Sequence, residues 1–353
     1  MHATGGGPEA ATGEGPGGAA GTRRRVGPYS LITELDDPRT RLPVPERRYI
    51  ARSTDGRYTV LLSLPRPGSD AQRFMAEAEA SRYLLGPCAA PVTALAAPGE
   101  AAWCSRPYLP VLPLPTALAV HGGPLPERTV RAVGVALAET LAVIHGQGLT
   151  YAGVSPAAVL LTAEGPRLSC FGAVRAAAPD GTPRSGLPGL ESGSLPPEQA
   201  SGGRPRPLGD VYALGATLAY AATGHTTPER DELPAALRTV ITRCLSRDPG
   251  NRPQLAELIV ALTESAPSAD APSSNVPSSD VPSTGAHSTD APPAGTSPAP
   301  RNAPPFAPGW LPGRVIAALA HQSAAVLMAE IPAGLASASA PASPPAHPSL
   351  SRN

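Results

Sequence analysis

The spacing of apolar residues changes several times along the chain, and each change marks an element. Tyr29–Thr33, Arg48–Arg52 and Arg57–Leu64 are short runs rich in β-branched, aromatic and aliphatic residues, the signature of strands. A Thr54-Asp55-Gly56 turn joins the last two as a hairpin. From Ser69 to Leu85 the apolar stripe through Phe74, Ala78 and Leu85 predicts a helix, capped by Ser69 or Asp70. Ala101–Ser105 returns to a strand pattern. Leu125-Pro126-Glu127 then opens a longer helix, with Val130, Val133, Leu137, Leu141 and Ile144 on one face and His145 at its end.

Beyond that helix, the apolar run Val159–Leu161, a Glu164-Gly165-Pro166 turn and a segment ending in Cys170-Phe171-Gly172 predict a second hairpin. The stretch after Asp210 is apolar on all faces up to Gly224, as a fully buried helix should be. Leu237, Val240, Ile241, Cys244 and Leu245 predict another helix, and Leu255, Leu258, Ile259 and Leu262 a further one. Strands thus come first and helices afterwards.

Composition limits how much of the chain joins that fold. The 47 Pro and 36 Gly are unevenly spread over 353 residues, so only part of the chain can build a core. Residues 1–25 are expected to be a disordered Gly-rich leader and 265–308 a disordered Pro/Ser/Ala linker. Residues 309–332 carry an amphipathic helix pattern over 314–330, open to packing on the main domain or to docking a partner, and 333–353 form a low-complexity tail.

Formal net charge is zero, which leaves no electrostatic footprint for nucleic acid. No apolar stretch is long enough to predict a membrane span, and no signal peptide is predicted, so the expected location is cytoplasmic. All 28 basic residues are arginine, which excludes any chemistry that needs a lysine. Cys88, Cys104, Cys170 and Cys244 lack metal-site or dithiol spacing and are expected to be buried thiols.

The order of parts from Leu141 to Gly172 resembles the catalytic centre of a bacterial eukaryotic-like Ser/Thr protein kinase. Landmarks elsewhere match in sequence order. Tyr108–Leu112 resembles the hinge between lobes, Pro197-Glu198 the end of the activation segment, Asp210 and its helix the central helix of the large lobe, and Arg252-Pro253 a late structural motif. The resemblance runs from Gly27 to about Thr263 and implies an α+β, bilobal protein-kinase-like fold over 26–264, with a small β-rich lobe at 26–110 and a large, mostly helical lobe at 111–264. It also implies a structural role for Glu198, Asp210 and Arg252, with Glu198 and Arg252 as a desolvated pair.

The chemical positions differ from the family pattern. Gly153 stands where the resemblance implies the catalytic aspartate, Ser155 the loop lysine, Ala158 a metal-binding asparagine, Cys170 the magnesium-binding aspartate and Leu62 the strand lysine. The expected phosphate loop, 36–46, has three prolines and no glycine. Glu77 matches the family's helix glutamate without its lysine partner and is expected to be solvated or paired with arginine, while Arg48, Arg52 and Arg57 are the cations in reach of a phosphate.

The expectation is a pseudokinase with no catalytic residues, no metal and no predicted cofactor, its ATP binding weak at most. It would act as a regulatory or scaffolding module whose protein partner is an active kinase or its substrate. The alternative is a Ser/Thr protein kinase or nucleotide-binding transferase with a non-standard ATP site.

Overall fold

In a computed structural model the chain is described over residues 24–40, 42–264, 306 and 309–329. The expected leader up to residue 23, most of the 265–308 linker and the 333–353 tail lie outside the described residues.

The small lobe is a six-stranded sheet. Its strands are β1 (Arg25–Val26), β2 (Tyr29–Glu34), β3 (Glu46–Ser53), β4 (Thr59–Pro65), β5 (Ala94–Leu95) and β6 (Cys104–Pro107), in the spatial order β1-β2-β3-β4-β6-β5. Arg25, expected in the leader, already pairs with Ser30. Helix α1 (Ala71–Ser81) covers this sheet, and Asp70 caps it by accepting from the amides of Gln72 and Arg73.

Both faces of the sheet are buried. Tyr49, Ala51, Val60 and Leu62 pack with Trp103 on one face, while Ile50 and Leu61 pack toward the large lobe on the other. In register, Tyr49 lies opposite Leu62, Ile50 opposite Leu61 and Arg48 opposite Ser63. Side chains alternate along a strand, so Leu62 points away from the lobe interface and Ser63 toward it.

The chain crosses to the large lobe through β7 (Leu112–Pro113) and α2 (Leu114–His121), a helix with no counterpart among the elements predicted above. Next come α3 (Glu127–Gly146) and the hairpin β8 (Val159–Thr162) and β9 (Gly165–Leu168). Thr162 pairs with Gly165, so the turn is Ala163-Glu164, one residue earlier than expected. The remaining helices are α4 (Ala173–Ala177), α5 (Pro197–Ala200), α6 (Pro207–Thr223), α7 (Ala235–Cys244), α8 (Leu255–Glu264) and α9 (Gly313–Met328).

Helix α3 is, among the described residues, the one long and apolar enough to cross a membrane by length and composition. Its apolar face is taken up by the core: Val130, Val133, Leu137, Leu141 and Ile144 are buried against residues of α6 and α8. Gly134 permits this approach, because a Cβ there would lie 2.7 Å from the Leu262 side chain.

Candidate functional site

Two segments meet where the lobes join: the loop Tyr151–Ala158 and the Cys170-Phe171-Gly172 turn that follows β9. Asp210, near the start of α6 and almost fully buried, organises the first. Its carboxylate accepts from the amides of Tyr151 at 2.7 Å and Ala152 at 2.8 Å, and it lies 2.8 Å from His145 Nε2. Three partners satisfy a carboxylate that burial would otherwise penalise. Ser155 Oγ caps the short turn at 156–158 by accepting from Ala158 N at 3.3 Å.

Across the large lobe, Arg252 donates to both carboxylate oxygens of Glu198 at 2.6 and 2.9 Å, and to the carbonyls of Ser246 and Leu208. Burial alone would raise the Glu198 pKa, but the Arg252 hydrogen bonds outweigh it and hold the carboxyl below its ordinary value.

The chemical positions are packed with protein. Ala152 and Cys170 both have positive φ, at 52° and 63°, which is uncommon for residues with a side chain. This bends the two segments onto each other: a Cβ built on Gly153 would collide with the Cys170 carbonyl oxygen. Ala158 is a fully buried methyl whose carbonyl accepts from Ser169.

Cys170 is buried, as expected, and its thiol donates to Glu46 Oε1 at 3.3 Å. Burial first, then the Glu46 charge, pushes that thiol well above its ordinary range. The expectation for Leu62 is corrected. Leu62 lies in the cluster around Trp103, and the neighbouring Ser63 faces the cleft, accepting from Arg106 Nη1 at 3.2 Å.

The cations are committed to the protein itself. Arg48 is clamped by Asp36 of the β2–β3 loop and donates to Ser169 at 3.1 Å. Arg52 donates to carbonyls at the end of α9, and Arg57 sits exposed in the β3–β4 turn beside Asp55. Arg106 is buried and also donates to the carbonyl of Ala90 at 2.9 Å. Glu77 forms a bidentate pair with Arg175 of α4 at 2.8 and 2.7 Å, with the Arg175 guanidinium 4.9 Å from the Phe171 ring.

Four of these participants, Glu46, Ser63, Arg106 and Arg175, were not singled out in the sequence. A charged residue inside an otherwise apolar strand pattern was the available signal for Arg106.

Between α1 and the Cys-Phe-Gly turn remains a space of about 50 Å³ lined by Glu46, Glu77, Cys104, Arg106, Cys170 and Phe171. Ligand clefts usually enclose about 300–1,000 Å³. The space suits a few waters rather than a nucleotide. Among the described residues, no three His, Cys, Asp or Glu side chains group to hold a metal ion. Glu46 and Glu77, the carboxylates that line it, are engaged by Cys170 and Arg175, and the thiol of Cys170 and the methyl of Ala158 stand where the family's metal ligands would be, so the residues present do not fit magnesium.

No protein-family model matches the chain. Similar sequences are named as kinases. The probable serine/threonine-protein kinase PkwA of Thermomonospora curvata is 32% identical over 260 residues, 68% of this chain and 34% of its own length. The serine/threonine-protein kinase AfsK of Streptomyces coelicolor is 28% identical over 257 residues, 67% of this chain and 31% of its own. The serine/threonine-protein kinase PknK of Mycobacterium tuberculosis is 34% identical over 174 residues, 42% of this chain and 16% of its own. The chain spans about a third of the length of the first two relatives. With its two lobes and these homologues, the chain carries a protein-kinase-like domain related to bacterial Ser/Thr protein kinases.

Proposed function

We propose that the domain is a pseudokinase that works by binding rather than by phosphoryl transfer. The observation that carries this reading is at Gly153: the base position has lost both its carboxylate and the space for any side chain, because the Cys170 carbonyl stands there. A general base must come within about 3 Å of the proton it removes. A residue without a Cβ cannot do so.

The supporting charges Arg48, Arg106 and Arg175 bond to the protein, so the neutralisation of phosphate charge on which this chemistry depends is also lacking. The kept lobes then serve as a regulatory or scaffolding surface for a protein partner, an active kinase or its substrate.

The test is a melt of the full chain with and without millimolar ATP and magnesium, followed by incubation with labelled ATP. A ligand at about 100 times its Kd stabilises by about 2.7 kcal/mol, and a domain of this size shifts by about 2 to 4 °C per kcal/mol. The expected results are no shift and no transferred label. A metal-dependent phosphorylated product that disappears in Arg48→Ala would sink the proposal in favour of a transferase with a non-standard site, the reading that the relatives' names favour.

A further inference from the structure

A second part of the interlobe cleft lies beside the hinge, away from Cys170. Its walls are apolar: Leu35, Ile50 and Leu61 from the small lobe, Val111 at the hinge and Leu160 from the large lobe. The side chain that fills it is Val326 of α9, buried to 3% exposure while the next two residues, Leu327 and Met328, are 76% and 80% exposed.

One turn earlier on α9, Gln322 faces the hinge backbone. Its Oε1 accepts from Val111 N at 3.0 Å and its Nε2 donates to Val111 O at 2.8 Å, so both polar groups of one hinge residue are taken by one amide side chain. Arg52 of the small lobe donates to the carbonyls of Val326 at 2.5 Å and Ala329 at 3.1 Å, groups that a helix end leaves without partners.

We propose that α9 is a latch: an intramolecular occupant of the hinge side of the cleft that excludes other ligands while docked and ties the two lobes together. The proposal holds whether or not the domain transfers phosphate.

The two halves of the helix are anchored differently. Upstream, Leu311, Val315 and Leu319 join the main core, and Trp310 Nε1 donates to the carbonyl of Ala163 at 2.9 Å. Downstream, the contacts reduce to Gln322, Val326 and Arg52. Regions with few apolar contacts open at lower free energy than the core, so the downstream half releases first. Because α9 is covalently joined to the domain, release is reversible and recapture is intramolecular.

Hydrogen exchange on the full chain tests this. In Gln322→Ala/Val326→Asp, peptides containing Val111 and residues 320–328 should exchange at least tenfold faster than in the unaltered chain, while α3 and α6 keep their protection. An apolar dye, anilinonaphthalene sulfonate, should bind the variant and not the parent. A synthetic peptide of residues 309–329 should restore protection at Val111. Arg52→Ala should give a smaller acceleration confined to 320–328. Unchanged exchange at Val111 in the double variant would overturn the proposal. Acceleration spreading through α3 and α6 would also overturn it, since the helix would then be a part of the core and not a latch.

Discussion

The Glu198–Arg252 and Asp210 framework and the Gly153–Cys170 crossing sit in the same lobe, and Asp210 touches both through the loop it holds. In the framework, buried charge is retained and fully partnered: Asp210 accepts from two amides and faces His145, and Arg252 meets Glu198 and three carbonyls. At the crossing, charge that would meet a ligand is gone, and the chain's own carbonyl, methyl and thiol fill the space. Charges whose partners are protein groups are kept by the fold, because deleting one leaves the other buried and unpaired. Charges whose partner would be a bound ligand have no such hold.

The crossing should therefore refuse the residue that the framework would welcome. Gly153→Asp should be the most damaging single change, since the new side chain meets backbone rather than a movable side chain. A loss above about 4 kcal/mol is expected, read as collapse of the cooperative melt or loss of soluble protein. A variant as stable as the parent would mean that the two segments separate easily.

Arg252→Ala comes next. It strands Glu198 and removes the Arg252 bonds to the carbonyls, at about 3 to 5 kcal/mol, and lowers the Tm by about 6 °C or more. Arg175→Ala should cost less, on the order of 1 to 3 kcal/mol, because the Arg175 side chain is partly exposed and bonds one carbonyl besides Glu77, whereas Arg252 is fully buried. Its mark would be faster hydrogen exchange in α1 and α4 with α6 unchanged, and uniform loosening would contradict it.

Legibility in the sequence follows the same division. Long periodic elements such as α3 and α6 could be read because one face, or all faces, must be apolar to be buried. Helix α2 could not: Leu114–His121 has a proline in its first turn and too few residues for a period to show. Five-residue α4, rich in alanine, is similarly silent.

Leu62 was misplaced because Val60–Leu64 is nearly continuous in apolar residues, as in a strand buried on both faces. A shift of one residue then exchanges cleft for core with nothing in the pattern to object. The losses at Gly153, Ala158 and Cys170 were visible as residue types. That the space at Gly153 is filled by Cys170, and the hinge slot by Val326, depends on contacts between segments far apart in the chain.

The smallest predicted effect probes the crossing through its proton. The thiols of Cys88, Cys104, Cys170 and Cys244 are all raised by burial above their ordinary value, Cys104 to about 12. In the unfolded chain a thiol ionises near about pH 8.5, while the folded chain still holds these protons. The folded state therefore binds more protons than the unfolded state above that pH. Stability from this source is complete below about pH 8 and is lost as pH rises, at roughly 1 kcal/mol per pH unit for each thiol. Melts of the full chain at pH 7.5, 8.5 and 9.5 should show a falling Tm, and Cys170→Ala should make that fall shallower. An unchanged slope would mean that Cys170 ionises in the folded protein. Its thiol would then not be donating to Glu46, and the crossing would hold a thiolate that water or a cation can reach.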